Sequence, residues 1–186
     1  MGNLLRKQSK ILLIFPDKDI CERIFPRLLA QFVSNFYKQK GVEVLAGEKI
    51  TGLELLGNQR VLKTSTNREI RVDGVVARLG IEPNVELARK VGLEVEKGII
   101  VDEFLRTNIP DIFAAGDVAE FFNPALGKRI RVEHEDNANS MGRLAGLNMA
   151  GKPEPYNHLP FFYSDMFELG YEAVGEVDSH LETFAD

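Results

Sequence analysis

The feature that most constrains the fold is a strand, a helix and a second strand in the first fifty residues. Lys10-Ile-Leu-Leu-Ile-Phe15 is a continuous apolar run ended by Pro16-Asp17, the pattern of a strand buried on both faces of a parallel sheet. Pro26 stands where a proline opens a helix, Leu28, Leu29, Phe32, Val33, Phe36 and Tyr37 recur at helical spacing, and Gly41 closes the segment. Val42 to Ala46 reads as the next strand. Parallel neighbours need a long crossover, usually a helix, so the chain is expected to be α/β with a parallel sheet.

Beyond this unit the pattern changes. Lys49 to Leu56, Arg60 to Ser65 and Glu69 to Val72, separated by Gly57-Asn58 and by Thr66 to Arg68, predict a small antiparallel meander. Val75 to Ala77 reads as a buried strand running into Gly80, followed by a short helix through Lys90, and a domain crossover is placed there. Gly92 to Val101 predicts a hairpin turning at Lys97-Gly98, and Asp111 to Asp117 a buried strand that delivers a glycine and a carboxylate at its carboxyl end, where open α/β sheets bind ligands. Asp136 to Ala150 is the second helix, with Ala138, Met141, Leu144, Ala145 and Asn148 on one face and Gly151 and Pro153 stopping it.

Charge and cysteine usage narrow the function classes. The 186 residues carry a formal charge of −5, which gives no basic field for nucleic acid. The single cysteine, Cys21, excludes an internal disulfide, a four-cysteine zinc site and a CxxC pair, so redox chemistry must come from a bound cofactor. Cys21 itself reads as packing rather than a redox thiol. No apolar run is long enough to span a bilayer, Met1 to Lys10 lacks a secretory stretch, and a cytoplasmic protein is expected.

Two near misses carry no function. Gly146 to Lys152 fits the first seven positions of a phosphate-binding P-loop, but the eighth is Pro153 and the segment closes a helix instead of opening one. Glu133-His134-Glu135-Asp136 sets one imidazole beside three carboxylates, and the position for a second histidine holds Ala138, so no metal site is expected. His158 and His180 receive no role. No two glycines are separated by a single residue, so the GxGxxG turn of dinucleotide folds is absent. Asp17, just past a strand end, is either a ribose-binding carboxylate or a turn residue beside Pro16.

At Thr107-Asn-Ile-Pro-Asp-Ile-Phe-Ala-Ala-Gly116-Asp117 the sequence resembles the second flavin motif of the FAD-dependent pyridine nucleotide-disulfide oxidoreductases. Arg131 to Asp136, Gly142 to Met149 and Gly170 to Asp178 resemble the branch that holds apoptosis-inducing factor and ferredoxin-reductase-like members. Phe15 to Lys18, Gly41 to Val44 and Gly80-Ile-Glu-Pro-Asn-Val-Glu-Leu87 fit the same branch. The resemblance implies a partial Rossmann-like, three-layer fold of two dinucleotide-binding domains with an antiparallel meander. Residues 1–80 would be the later part of the NAD(P) domain, 81–160 the returning segment of the FAD domain, and 161–186 the start of the carboxy-terminal interface domain. The chain is therefore read as a truncated or split reductase lacking an amino-terminal half, and self-association is expected when it is expressed alone.

The same resemblance implies site roles. Asp117, delivered by Gly116, would accept a hydrogen bond from a ribityl hydroxyl of FAD. His134 and Glu135 would lie against the flavin ring at the positive end of a helix, and Glu133 and His134 would touch the nicotinamide side. Tyr163 matches an aromatic against the cofactor, and Glu172 a nicotinamide contact. Asp17 and Arg23 match positions that hold the adenosine ribose, and Gly80 lets backbone approach the nicotinamide. An acidic Asp17 disfavours a 2′-phosphate, so NADH is favoured over NADPH. No side chain is required as a nucleophile. The implied partners are NADH and an electron acceptor such as a ferredoxin-like protein or a quinone. The alternatives are a non-catalytic remnant or interaction module, and one subunit of a split reductase.

Overall fold

The computed structural model describes residues 9–184 together with Leu5 and Lys7. β1 (Ile11–Phe15), α1 (Arg27–Gln39) and β2 (Val42–Ala46) form the expected unit. The two strands are parallel, from Ile11 opposite Val42 to Phe15 opposite Ala46. Gly41, at φ +85°, adopts the left-handed conformation that turns the chain from α1 into β2. Ala30, Val33 and Ser34 are the buried residues of α1, whereas Leu28 is 81% exposed and Phe32 52%. The apolar stripe of α1 is therefore wider than the surface that covers it.

β3 (Ile50–Leu56), β4 (Gln59–Thr64) and β5 (Glu69–Val72) make the anticipated antiparallel meander, with β4 in the middle. Its central strand supplies the buried Val61, Leu62 and Thr64. Glu48 is buried beside it, accepting a hydrogen bond from Thr66 Oγ1 at 2.5 Å, with Arg68 Nε at 3.5 Å. The Thr66 hydroxyl, more than any other group, holds the Glu48 carboxyl below its usual range.

Two strand expectations are corrected. Val75 to Ala77 forms no strand, and Val76 and Leu79 are 96% and 92% exposed. A fully buried strand needs ladder partners on its flanks, and β1 and β2 pair only with each other among the described residues. Asp111 to Ala115 is likewise no ladder strand. One bridge, Arg106 to Phe113, holds it. Asp111 takes a left-handed φ of +63°, and the Thr107 hydroxyl donates to the carbonyls of Ile109 and Ile112.

The chain divides into two compact units, Met1–Leu79 with Val177–Asp186, and Gly80–Glu176. In the second, α2 (Glu86–Lys90) leads to the predicted hairpin, closed by a Val95–Ile99 bridge. β6 (Ile99–Ile100) then runs parallel to β7 (Ala119–Asn123), which pairs antiparallel with β8 (Lys128–Ile130). This three-stranded sheet packs on α3 (Glu135–Met149) around Leu105, Phe121, Met141 and Tyr156. Burying each such side chain stabilises by about 1.5–3 kcal/mol. Gly151, at φ +78°, ends α3, and Lys152 N–H donates to the Leu147 carbonyl. Residues 146–152 are thus a helix C-cap with no amides free for phosphate. β9 (Phe161–Met166) and β10 (Leu169–Val174) form an antiparallel hairpin in the same unit.

Candidate functional site

The second unit gathers most of the sequence-predicted residues around the start of α3. Gly116 opens a single 3-10 turn, Gly116–Val118, at φ +77°, where a residue with a Cβ is strained. A Cβ there would lie 3.7 Å from that of Ala138, so the turn seats on the first turns of α3. Asp117 is exposed, and among the described residues it is bonded through its carbonyl alone, which accepts from Arg131 Nη1 at 2.9 Å. Arg131 also pairs with Glu133 at 2.5 Å, so the Glu133 carboxylate is matched by a cation two residues before it, in the loop between β8 and α3.

His134 is the N-cap of α3, and its Nδ1 lies 3.3 Å from the amide N–H of Asp136. Its Nε2 lies 3.4 Å from the amide of Tyr163. A neutral imidazole has one acceptor nitrogen, so the ring makes one of these bonds at a time and carries its proton on the other nitrogen. The ring meets Tyr163 edge to face at 4.9 Å and Phe162 at 5.4 Å. Tyr163 Oη donates to Glu135 Oε2 at 2.9 Å. That carboxylate is the main reason the phenol ionises above its usual range. Glu172 stands directly opposite Tyr163 across the β9–β10 ladder, and both are exposed. Directly opposed residues share a face of the sheet, with Cβ atoms about 5 Å apart. His134, Glu135, Tyr163 and Glu172 therefore form one cluster.

The remaining predicted residues lie elsewhere. Asp17 follows β1 in the first unit and binds Arg23 through Nε at 3.2 Å and Nη2 at 3.1 Å. Gly80, at φ +86°, begins the second unit with open space where its Cβ would be.

Sequence reasoning missed two supports. Glu120 is 3% exposed, and its Oε2 accepts from the amides of Lys97 at 2.8 Å and Gly98 at 3.1 Å. A carboxylate inside the run Val118-Ala-Glu-Phe-Phe122 was the available signal. The second is a hydrogen bond between His158 Nε2 and Asp136 Oδ2, at 2.5 Å, which residue spacing does not announce. A hollow of about 250 Å³ lined by Val101, Arg129 and Tyr156 among others includes none of the predicted residues.

The family model described as pyridine nucleotide-disulphide oxidoreductase matches residues 3–142. The chain belongs to this family. Residues 145–185 match a second model, the mitochondrion-associated C-terminal region of apoptosis-inducing factor. The chain is 36% identical to apoptosis-inducing factor 1, mitochondrial, of Dictyostelium discoideum, over 99% of its own length and 36% of that protein's. It is 35% identical to monodehydroascorbate reductase 3 of Arabidopsis thaliana, covering 98% of the chain and 43% of the relative. Among solved structures, the ferredoxin reductase for the CYP199A2 system from Rhodopseudomonas palustris superposes with a TM-score of 0.86 at 27% identity. The match covers 94% of this chain and 43% of that one. The covalent putidaredoxin reductase–putidaredoxin complex gives 0.85 at 28% identity, over 94% and 42%. The chain thus spans about two fifths of the length of the relatives it matches. The fold is that of FAD- and NAD(P)H-dependent reductases, mixed α/β, and the homologues are oxidoreductases.

Members of the family use FAD, and the donors at α3 fit a flavin. The cap leaves the N–H of the exposed Glu135 with no acceptor among the described residues, and the exposed Asp117 offers a carboxylate with no side-chain partner among them. Amides suit the carbonyl oxygens of a flavin ring, and a carboxylate suits a sugar-alcohol hydroxyl.

Proposed function

We propose that the chain carries part of the flavin and nicotinamide sites of an FAD-dependent NAD(P)H oxidoreductase. The observation that carries this reading is the convergence of the Gly116–Asp117 turn, the amide-rich start of α3 and the Tyr163 ring. In this proposal Asp117 accepts a hydrogen bond from a ribityl hydroxyl, worth about 1.5–3 kcal/mol for a charged acceptor. The Glu135 amide and the positive end of α3 favour electron density on the near edge of the ring, by about 0.3–2 kcal/mol. Tyr163, held by Glu135, walls one side, and His134 and Glu172 face the nicotinamide. When bound, the flavin supplies the hydride acceptor and the route for electrons onward.

Asp17 and Arg23 form the adenosine end of the proposal. The Asp17 carboxylate accepts from ribose hydroxyls and repels a 2′-phosphate, which supports NADH over NADPH. Arg23, bonded to Asp17, holds that carboxylate in place. A ferredoxin-like protein is the proposed acceptor, supported by the putidaredoxin reductase–putidaredoxin structure among the neighbours. Titrating the chain with FAD while following flavin fluorescence, then adding NADH without oxygen, tests the reading. Saturable binding and bleaching of the flavin absorbance support it.

A second reading is favoured by the uncovered apolar surface of α1 and of residues 75–79: one subunit of a split reductase, needing a complementary polypeptide. In that case FAD binds only after a polypeptide carrying the GxGxxG segment is supplied.

A further inference from the structure

The Asp136–His158 pair has no part in the readings above, and it joins the two halves of the His134 cluster. Asp136 is the second residue of α3. Its N–H faces His134 Nδ1, and its carboxylate binds His158 Nε2. An ionised carboxylate only accepts, so the proton lies on Nε2 of His158. His158 is itself anchored, since its carbonyl accepts from Nδ2 of the fully buried Asn123 at 2.9 Å. Two residues earlier, the Tyr156 hydroxyl donates to Asn137 at 3.0 Å and meets Ser140 at 2.9 Å. Three residues later β9 begins and brings Phe162 and Tyr163 onto the His134 ring.

We infer that His158 is a positioning residue: it holds the Asp136 carboxylate away from the unpaired amides of Glu135 and Asn137 in the first turn of α3, while His134 caps the Asp136 amide. A short carboxylate at a helix start competes for the unpaired N–H groups there. The neighbouring charges offer Asp136 no substitute for His158. Glu133 and Glu135 are both acidic, and Arg131 is committed to Glu133. Without His158 the amides of Glu135 and Asn137 become the best donors within reach of Asp136. If the Glu135 amide is taken, it is closed to the flavin edge, so this inference rests on the proposed function for its consequence but not for its geometry.

The test uses the full chain without cofactor. Amide hydrogen exchange at Glu135 and Asn137 is measured by NMR in the wild type, His158→Leu, His158→Gln and the double variant that combines His158→Leu with Asp136→Asn. In His158→Leu the two amides are expected to slow about tenfold, the factor that one charge-assisted hydrogen bond supplies. His158→Gln keeps a donor for Asp136 and should exchange like the wild type. The double variant, in which a neutral amide replaces the carboxylate and accepts more weakly, should return most of the way. Loss of a merely structural tie predicts the opposite, faster exchange in His158→Leu and no recovery in the double variant, and that result overturns the inference. Should His158→Leu fail to fold, the ring 15N signals of the wild type decide. A protonated Nε2 on His158 and a bare Nδ1 on His134 support the inference, and a bare His158 Nε2 overturns it. Because no flavin is present, failure here leaves the proposed function standing, and failure to bind FAD leaves this result standing.

Discussion

Gly98→Ala is expected to destabilise the second unit by about 2 kcal/mol or more, although it adds one methyl group. A Cβ at position 98 would stand 2.6 Å from the Val118 carbonyl oxygen, 3.0 Å from Arg131 Cδ and 3.3 Å from the Glu120 amide nitrogen. The first contact lies well inside the closest carbon–oxygen approaches of about 3.3 Å. The obstacle is backbone, so the hairpin must move, and overpacking of this kind costs about 1–3 kcal/mol. The movement also strains the bond from Gly98 N–H to buried Glu120, and losing a donor to such a carboxylate costs about 1–3 kcal/mol more. Against this stands a gain of about 0.4–1 kcal/mol from the stiffer unfolded chain. Urea unfolding followed by circular dichroism measures the balance. Gly142→Ala is the control: Gly142 lies within α3 with nothing near its Cβ, and alanine there should stabilise by about 0.5–1 kcal/mol. If Gly98→Ala is as stable as the wild type while Gly142→Ala behaves as expected, the packing argument for the hairpin is wrong.

Burial raises the Tyr156 phenol to about 12 from an ordinary 10. The folded state thus holds its proton more tightly, and its stabilising contribution is complete below pH 10 and lost as pH rises through about 12. Alkaline unfolding of Tyr156→Phe should lack this component. Glu135→Gln should bring the ionisation of Tyr163 back down, seen in an ultraviolet pH titration, because Glu135 is the main cause of its raised value. Asp17→Ala removes an exposed pair with Arg23, so thermal stability should change by less than about 1 kcal/mol. Under the proposed function the same variant loses its preference for NADH, read as the ratio of dissociation constants for NADH and NADPH.

The parts legible in the sequence were those set by local pattern. Gly41 after a helical stripe, Lys97-Gly98 in a hairpin and Gly151 after α3 each stand where the backbone needs them, and residues 11–46 show the strand, helix, strand order in apolar periodicity alone. Val75 to Ala77 misled because an apolar β-branched run states a preference for burial without supplying the neighbouring strand that burial requires. Asp111 to Ala115 misled because Thr107 and a left-handed Asp111 tie the segment to itself. Within the site, His134, Glu135 and Tyr163 came from family resemblance, and their contact spans about thirty residues of sequence that no periodicity connects. Glu120 and His158 were missed for the same reason: their partners are 22 residues away in each case, Gly98 and Asp136.

The acidic character of the segment around α3 looks unsuited to a cofactor that gains electron density, and the fold answers this by pairing. Four carboxylates stand near the helix start: Asp117, Glu133, Glu135 and Asp136. Arg131 binds Glu133, His158 binds Asp136, and Tyr163 donates to Glu135. Of the four, only Asp117 is left without a side-chain partner among the described residues, and it is the one for which the proposed function needs a free acceptor. The amide of the exposed Glu135 remains as the open donor among the described residues. In an arrangement of this kind the attraction for electron density comes from the backbone, which neither titrates nor moves, and the charged side chains serve to leave it unobstructed.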